Sequence, residues 1–143
     1  MVPLRTLRRS VEDALAFVQA QPDVAEAEVF AAANGQLTAR LNYTSHIPCN
    51  GVEEPKSVLN HGLGLRVAFR DPEGVRVGFG AEPSDLSLEG VRRALEKARR
   101  GAVRDPEFYG LPRPGRERRT LRHYHDPAIL RVRNGTLVAL GWR

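Results

Sequence analysis

Residues 62–79 read Gly-Leu-Gly-Leu-Arg-Val-Ala-Phe-Arg-Asp-Pro-Glu-Gly-Val-Arg-Val-Gly-Phe. Leu63, Leu65, Val67 and Phe69 alternate with Gly62, Gly64, Arg66 and Ala68, the period of two that places alternate side chains on one face of a strand. Arg70-Asp71-Pro72-Glu73-Gly74 carries the residues of a turn, and Val75, Val77 and Phe79 resume the alternation. The stretch predicts a strand over 56–69 and a returning strand over 75–79, joined as an antiparallel hairpin.

Working outward, Ser84 or Ser87 caps a helix in which Leu88, Val91, Leu95 and Ala98 share one face, ending at Gly101. Lys97, Arg99 and Arg100 lie at the negative end of its dipole. On the other side, Ser10 is placed to cap a first helix with Val11, Ala14, Leu15, Phe17 and Val18, ending near Gln21-Pro22. Glu26 to Ala33 and Gln36 to Tyr43 read as two strands around Asn34-Gly35, a dipeptide that tolerates positive φ and so signals a hairpin. Thr44 to Glu54 has no periodicity and reads as an exposed loop. The expectation is an α+β fold in which two helices pack on one face of an antiparallel four-stranded sheet, in the order helix, four strands, helix. Residues 1–101 form that domain and 102–143 a Pro/Arg-rich tail, in which Leu130 to Trp142 adds a short hairpin.

The chain has 143 residues, room for one core. Its single cysteine cannot form an internal disulfide, which fits a reducing compartment. The start lacks the apolar core of a signal peptide and no apolar run approaches the length of a membrane span, so a cytoplasmic protein without membrane contact is expected. The net charge is +5, but 13 of the 22 Lys/Arg and 13 of the 17 Asp/Glu fall in 1–101, so the whole excess lies in the tail. A nucleic-acid module would carry its basic stripe on the folded surface with aromatics interleaved, and nucleic acid is therefore not the favoured partner.

Several of these pieces, in this order, resemble the first domain of the TldD/PmbA metallopeptidases, the modulator of DNA gyrase family. The resemblance rests on an opening helix, Ala27-Glu28-Val29-Phe30, the Asn34-Gly35 turn with its partner strand, Gly62 to Val67, Val77 to Gly80, Ser84-Asp85-Leu86-Ser87 with its helix, and the Pro/Gly-rich exit Phe108 to Pro112. It spans roughly 10–130. It implies homo- or heterodimers that process unfolded peptides, with zinc held in a later domain around a His-Glu-x-x-x-His helix and the first domain helping to enclose the chamber. No His here precedes a Glu and the chain stops at Arg143, so no catalytic residue and no cofactor are expected in it, and zinc belongs to the absent catalytic half.

The residues expected to touch substrate or a partner, either a second protein or another copy, are Gly62, Leu63, Gly64, Leu65 and Arg66, taken as an edge strand offering unpaired backbone groups, with His46 and Cys49 in the loop. His46, Cys49 and His61 are also candidate zinc ligands, although they fall short of the four that a structural site needs. Cys49 with His46 or His61 as base lacks an orienting third group, so no nucleophile is assigned. His123-Tyr124-His125-Asp126 and Glu53-Glu54 read as solvated. The tail arginines Arg113, Arg116, Arg118, Arg119 and Arg122 could contact phosphate, act as a connector, or dock on an acidic partner. A stand-alone module binding nucleic acid through that tail is the alternative function, and a small metal-dependent enzyme the third.

Overall fold

A computed structural model describes residues 2–42, 51–113, 115 and 126–141. The chain divides into two compact units, one of residues 1–34 with 59–113, the other of 35–58 with 114–143.

The first unit holds the core. Helix α1 spans Leu4–Gln19, β1 Val24–Asn42, β2 Gly51–Asp71, β3 Gly74–Pro83, α2 Leu88–Arg100 and β4 Val103–Arg104. The strands form one antiparallel sheet in the order β1-β2-β3-β4. The expected α+β class with four antiparallel strands and two helices is therefore present, although its fourth strand has another source. The chain does not turn back at Asn34-Gly35. Neither residue has the positive φ that a two-residue hairpin needs, and β1 stays extended through both. The fourth strand is instead β4, at the start of the expected tail, where Val103 pairs with Val77 and Arg104 with Arg76.

The β2–β3 hairpin follows the sequence reading. Its register runs from Gly62 opposite Pro83 to Asp71 opposite Gly74, whose φ of 135° only glycine adopts without strain. The Asp71 carboxylate accepts the Glu73 N–H at 3.1 Å across the turn. Strand β2 also starts at Gly51, inside the stretch expected to be loop.

Helix α1 begins at Leu4, six residues before Ser10. Pro3 occupies the N-cap position with extended backbone, φ −64° and ψ 145°, and no side chain caps the helix. Helix α2 is capped by Ser87, whose hydroxyl accepts the Gly90 N–H at 3.3 Å. Gly78 and Gly80 let α2 settle close to β3, because a Cβ on either would run into the carbonyl oxygen of Ala98 or Ala94. Leu63, Leu65, Val67 and Phe69 of β2 meet Ala14 and Val18 of α1 and Val91, Ala94, Leu95 and Ala98 of α2, and among the described residues no polar side chain is buried with them. Removing this surface from water stabilises the unit by about 1.5–3 kcal/mol for each fully buried large side chain.

The α1–β1 turn is pinned from two sides. Arg99 of α2 grips the Asp23 carboxylate at 2.8 and 3.0 Å, and Arg70 of β2 donates to the Pro22 carbonyl at 2.8 Å. The Arg99 guanidinium holds the Asp23 carboxyl below its ordinary value.

In the second unit, Ile129–Arg131 form a 3-10 turn and α3 spans Asn134–Gly141. The hairpin expected over 130–142 is replaced by these helical elements. Asn134-Gly135 opens a helix here: the Arg133 carbonyl accepts the Thr136 N–H at 2.9 Å, and the following Leu137, Val138, Ala139 and Leu140 break no turn. Among the described residues, no helix is long and apolar enough to cross a membrane.

Candidate functional site: the uncovered sheet face

Two faces of the first unit's sheet have different chemistry. Strand residues with the parity of Leu65 and Gly80 face the helices. Those of the other parity, Glu26, Glu28, Phe30 and Ala32 on β1, Gly64 and Arg66 on β2, and Phe79 and Ala81 on β3, face away from them. One end of that outer face is crossed by the chain leaving β4: the Leu111 N–H reaches the Glu26 carboxylate on β1 at 2.6 Å.

Beyond this crossing the face is open and apolar. Phe30 and Phe79 stack with centroids 6.4 Å apart and rings 22° from parallel, yet each is more than half exposed, at 53% and 58%. The Phe30 ring lies directly over Gly64, occupying the place of a side chain there. Next to the stacked pair lies a groove of about 470 Å³ lined by Phe30, Ala32, Gly62, Ala81 and Pro83, with Asn34 and Asn60 offering amides. On the other side of Phe30, Arg66 donates to Glu28 at 2.9 Å, an exposed pair that contributes little stability but fixes both side chains.

Strand β1 is the edge of the sheet, and nothing among the described residues pairs with its outer side. This corrects the expectation for Gly62 to Phe69, which is interior, with β1 on one side and β3 on the other. Its backbone groups are used in the ladder. Leu65 is in the core, Leu63 is buried there while also lining the groove, and Gly64 lies beneath Phe30; among the described residues expected to make contact, Gly62, in the groove, and Arg66, on the far side of Phe30, also reach the open face. His46 and Cys49 lie outside the described residues, as do Arg116, Arg118, Arg119, Arg122, His123 and His125. His61 lines the groove, and its carbonyl accepts the Ser84 N–H at 2.7 Å. Among the described residues no three of His, Cys, Asp and Glu converge as a metal site.

The helix side of β3 carries charge, not apolar surface. Glu82 accepts Lys97 at 2.8 Å and lies 3.5 Å from Arg93, which also bonds Asp85. The Lys97 ammonium lowers the Glu82 carboxyl, and the Ser87 hydrogen bonds lower that of Asp85. This network braces the β3–α2 connection. The Arg5, Arg8 and Arg9 face of α1 is exposed, with Arg9 3.7 Å from Asp13.

Comparison with known families, curated proteins and solved structures gives no match to the chain. The sequence did hold a signal for the site: with Gly78 and Gly80 in the core-facing phase of β3, Phe79 must point the other way. Phe30 follows by the same parity once Ala27, Val29 and Ala31 are placed against the core.

Proposed function

We propose that the chain is a non-catalytic assembly and peptide-gating domain of the TldD/PmbA type, acting in the cytoplasm and holding extended, unfolded polypeptide against its open sheet face. The observation that carries this reading is the groove beside Phe30 and Phe79. It is shallow, apolar and edged by amides, the composition that accepts apolar side chains of an extended chain while offering hydrogen bonds to its backbone. Zinc and hydrolysis belong, on this reading, to a catalytic domain of the family type.

The test uses a fluorescein-labelled casein fragment as probe, followed by anisotropy, with metal content measured by mass spectrometry. Binding without cleavage is expected, and Phe79→Ser weakens it about ten-fold, because losing a central aromatic contact costs upward of about 1.4 kcal/mol. Phe79 is the informative position, since it is exposed and supports no glycine beneath it. Stoichiometric zinc together with cleavage of the fragment refutes the reading, and so does binding that Phe79→Ser leaves unchanged.

A further inference from the structure

We infer that residues 105–111 are an autoinhibitory strap, seated on the outer sheet face in the place of part of a guest polypeptide and held there by Glu26. The inference rests on the peptide-holding reading of that face and names what regulates it.

The outer face is built of rows that run across the strands. Phe30 lies over Gly64 and Glu28 is bonded to Arg66, so the next pair in the same antiparallel register is Glu26 with Ala68. Ala68 lies opposite Val77, and Val77 opposite Val103 of β4. The chain leaves β4 at one side of the sheet, and its Leu111 N–H meets Glu26 on β1 at the other, so 105–111 cross this row. Ala68 is fully buried although its parity takes it away from the helices, and it stands outside the core cluster; the crossing chain accounts for its cover. Phe79 and Phe30, one and two rows farther along, are clear of the crossing and exposed. One apolar face is thus divided into a covered part and an open part.

The covering segment has the character of a guest. Phe108 and Leu111 are half-buried, while Tyr109 between them is almost wholly exposed. Its near end is fixed locally, the Asp105 carboxylate accepting the Glu107 N–H at 3.0 Å and the Asp105 carbonyl the Phe108 N–H at 3.1 Å. Gly110, at a φ of 149° that favours glycine, then places the Leu111 N–H against the Glu26 carboxylate. Among the described residues, this is the hydrogen bond that joins 106–111 to the sheet. Releasing it uncovers Ala68 and Val77 beside Phe79, so that the groove and the covered row become one apolar track. The guest that such a track takes is of the strap's own kind, an extended segment carrying aromatic and aliphatic side chains.

The experiment uses the full chain, the fluorescein-labelled casein fragment and two variants that undo the clasp from opposite sides, each verified as folded by circular dichroism. Glu26→Ala removes the acceptor; Leu111→Pro removes the donor and leaves the sheet face unaltered. Loss of a hydrogen bond to a charged acceptor shifts an equilibrium by about ten-fold or more, and a site that is open part of the time binds more weakly by the open fraction. Both variants should therefore bind the fragment about three- to ten-fold more tightly than the unmodified protein. By NMR, the Leu111 N–H should exchange more slowly in the unmodified protein than in Glu26→Ala, and should speed up when the fragment is bound. Tightening in only one variant overturns the strap, since a gain from Glu26→Ala alone reflects a more apolar face. Unchanged or weaker binding in both overturns it too, as does a Leu111 exchange rate that the bound fragment leaves unaltered. The peptide-holding reading survives these failures wherever Phe79→Ser still weakens binding. Absence of binding by the unmodified protein and by both variants overturns that reading, and the strap with it.

Discussion

Replacing Gly80 with alanine tests the closest contact in the fold. The methyl carbon would sit inside the van der Waals radius of the Ala94 carbonyl oxygen and against the Ala98 N, both backbone atoms of α2 that cannot rotate away. The helix must back off from β3 or tilt. Overpacking of this kind costs about 1–3 kcal/mol, partly offset by the roughly 0.5–1 kcal/mol that alanine gains over glycine in a regular element. The net loss expected is about 1–2 kcal/mol, or a fall in Tm of about 4–16 °C for a unit of this size. Gly78→Ala meets the Ala98 carbonyl one turn along and should cost a similar amount. The two are coupled: once α2 has moved to admit one methyl, the second finds room, so the double variant should lose clearly less than the sum. Urea melts followed by circular dichroism measure all three. A neutral Gly80→Ala, or a strictly additive double variant, would refute the account of how α2 packs.

Two further outcomes follow from the same structure. Ser87→Ala removes the acceptor for the Gly90 N–H and should lower stability by about 1 kcal/mol in a urea melt, with Ser87→Asp close to neutral. The Asp23 carboxyl is held below its ordinary value of 3.8 by the Arg99 hydrogen bonds. A depressed folded value means that this contribution is present above the unfolded value and is lost as pH falls through the folded one. Arg99→Gln should therefore raise the Asp23 titration toward 3.8 by NMR and flatten the stability profile in that acid range. An unmoved titration would deny the clamp.

The parts of the fold legible in the sequence are those fixed by neighbours along the chain. The 62–79 hairpin could be read because Leu63, Leu65, Val67 and Phe69 alternate up to a Pro-Glu-Gly turn. Helix α2 could be read because Ser87 and Gly101 bracket its apolar stripe. Asn34-Gly35 misled because the dipeptide permits a turn without requiring one, and a strand in a sheet keeps it extended. The terminal hairpin failed for a related reason, since Asn134-Gly135 serves equally as a helix start. The site was obscured by strand order, which no local pattern encodes: Gly62 to Phe69 has the composition of a strand but not the label of its neighbours. Only with β1 and β3 on either side of it does the exposed row become β1, and Phe30 and Phe79 become a pair.

The Phe30 ring resting in the space above Gly64 ties two positions 34 residues apart into one unit of variation. Neither can change alone without cost: a side chain at 64 would have to displace the ring, and a small residue at 30 would bare the glycine backbone to solvent. In relatives of this chain the two should alternate together, aromatic over glycine or small beside large. A sequence that breaks the pairing would mark a lineage in which this face of the sheet has taken on a different covering.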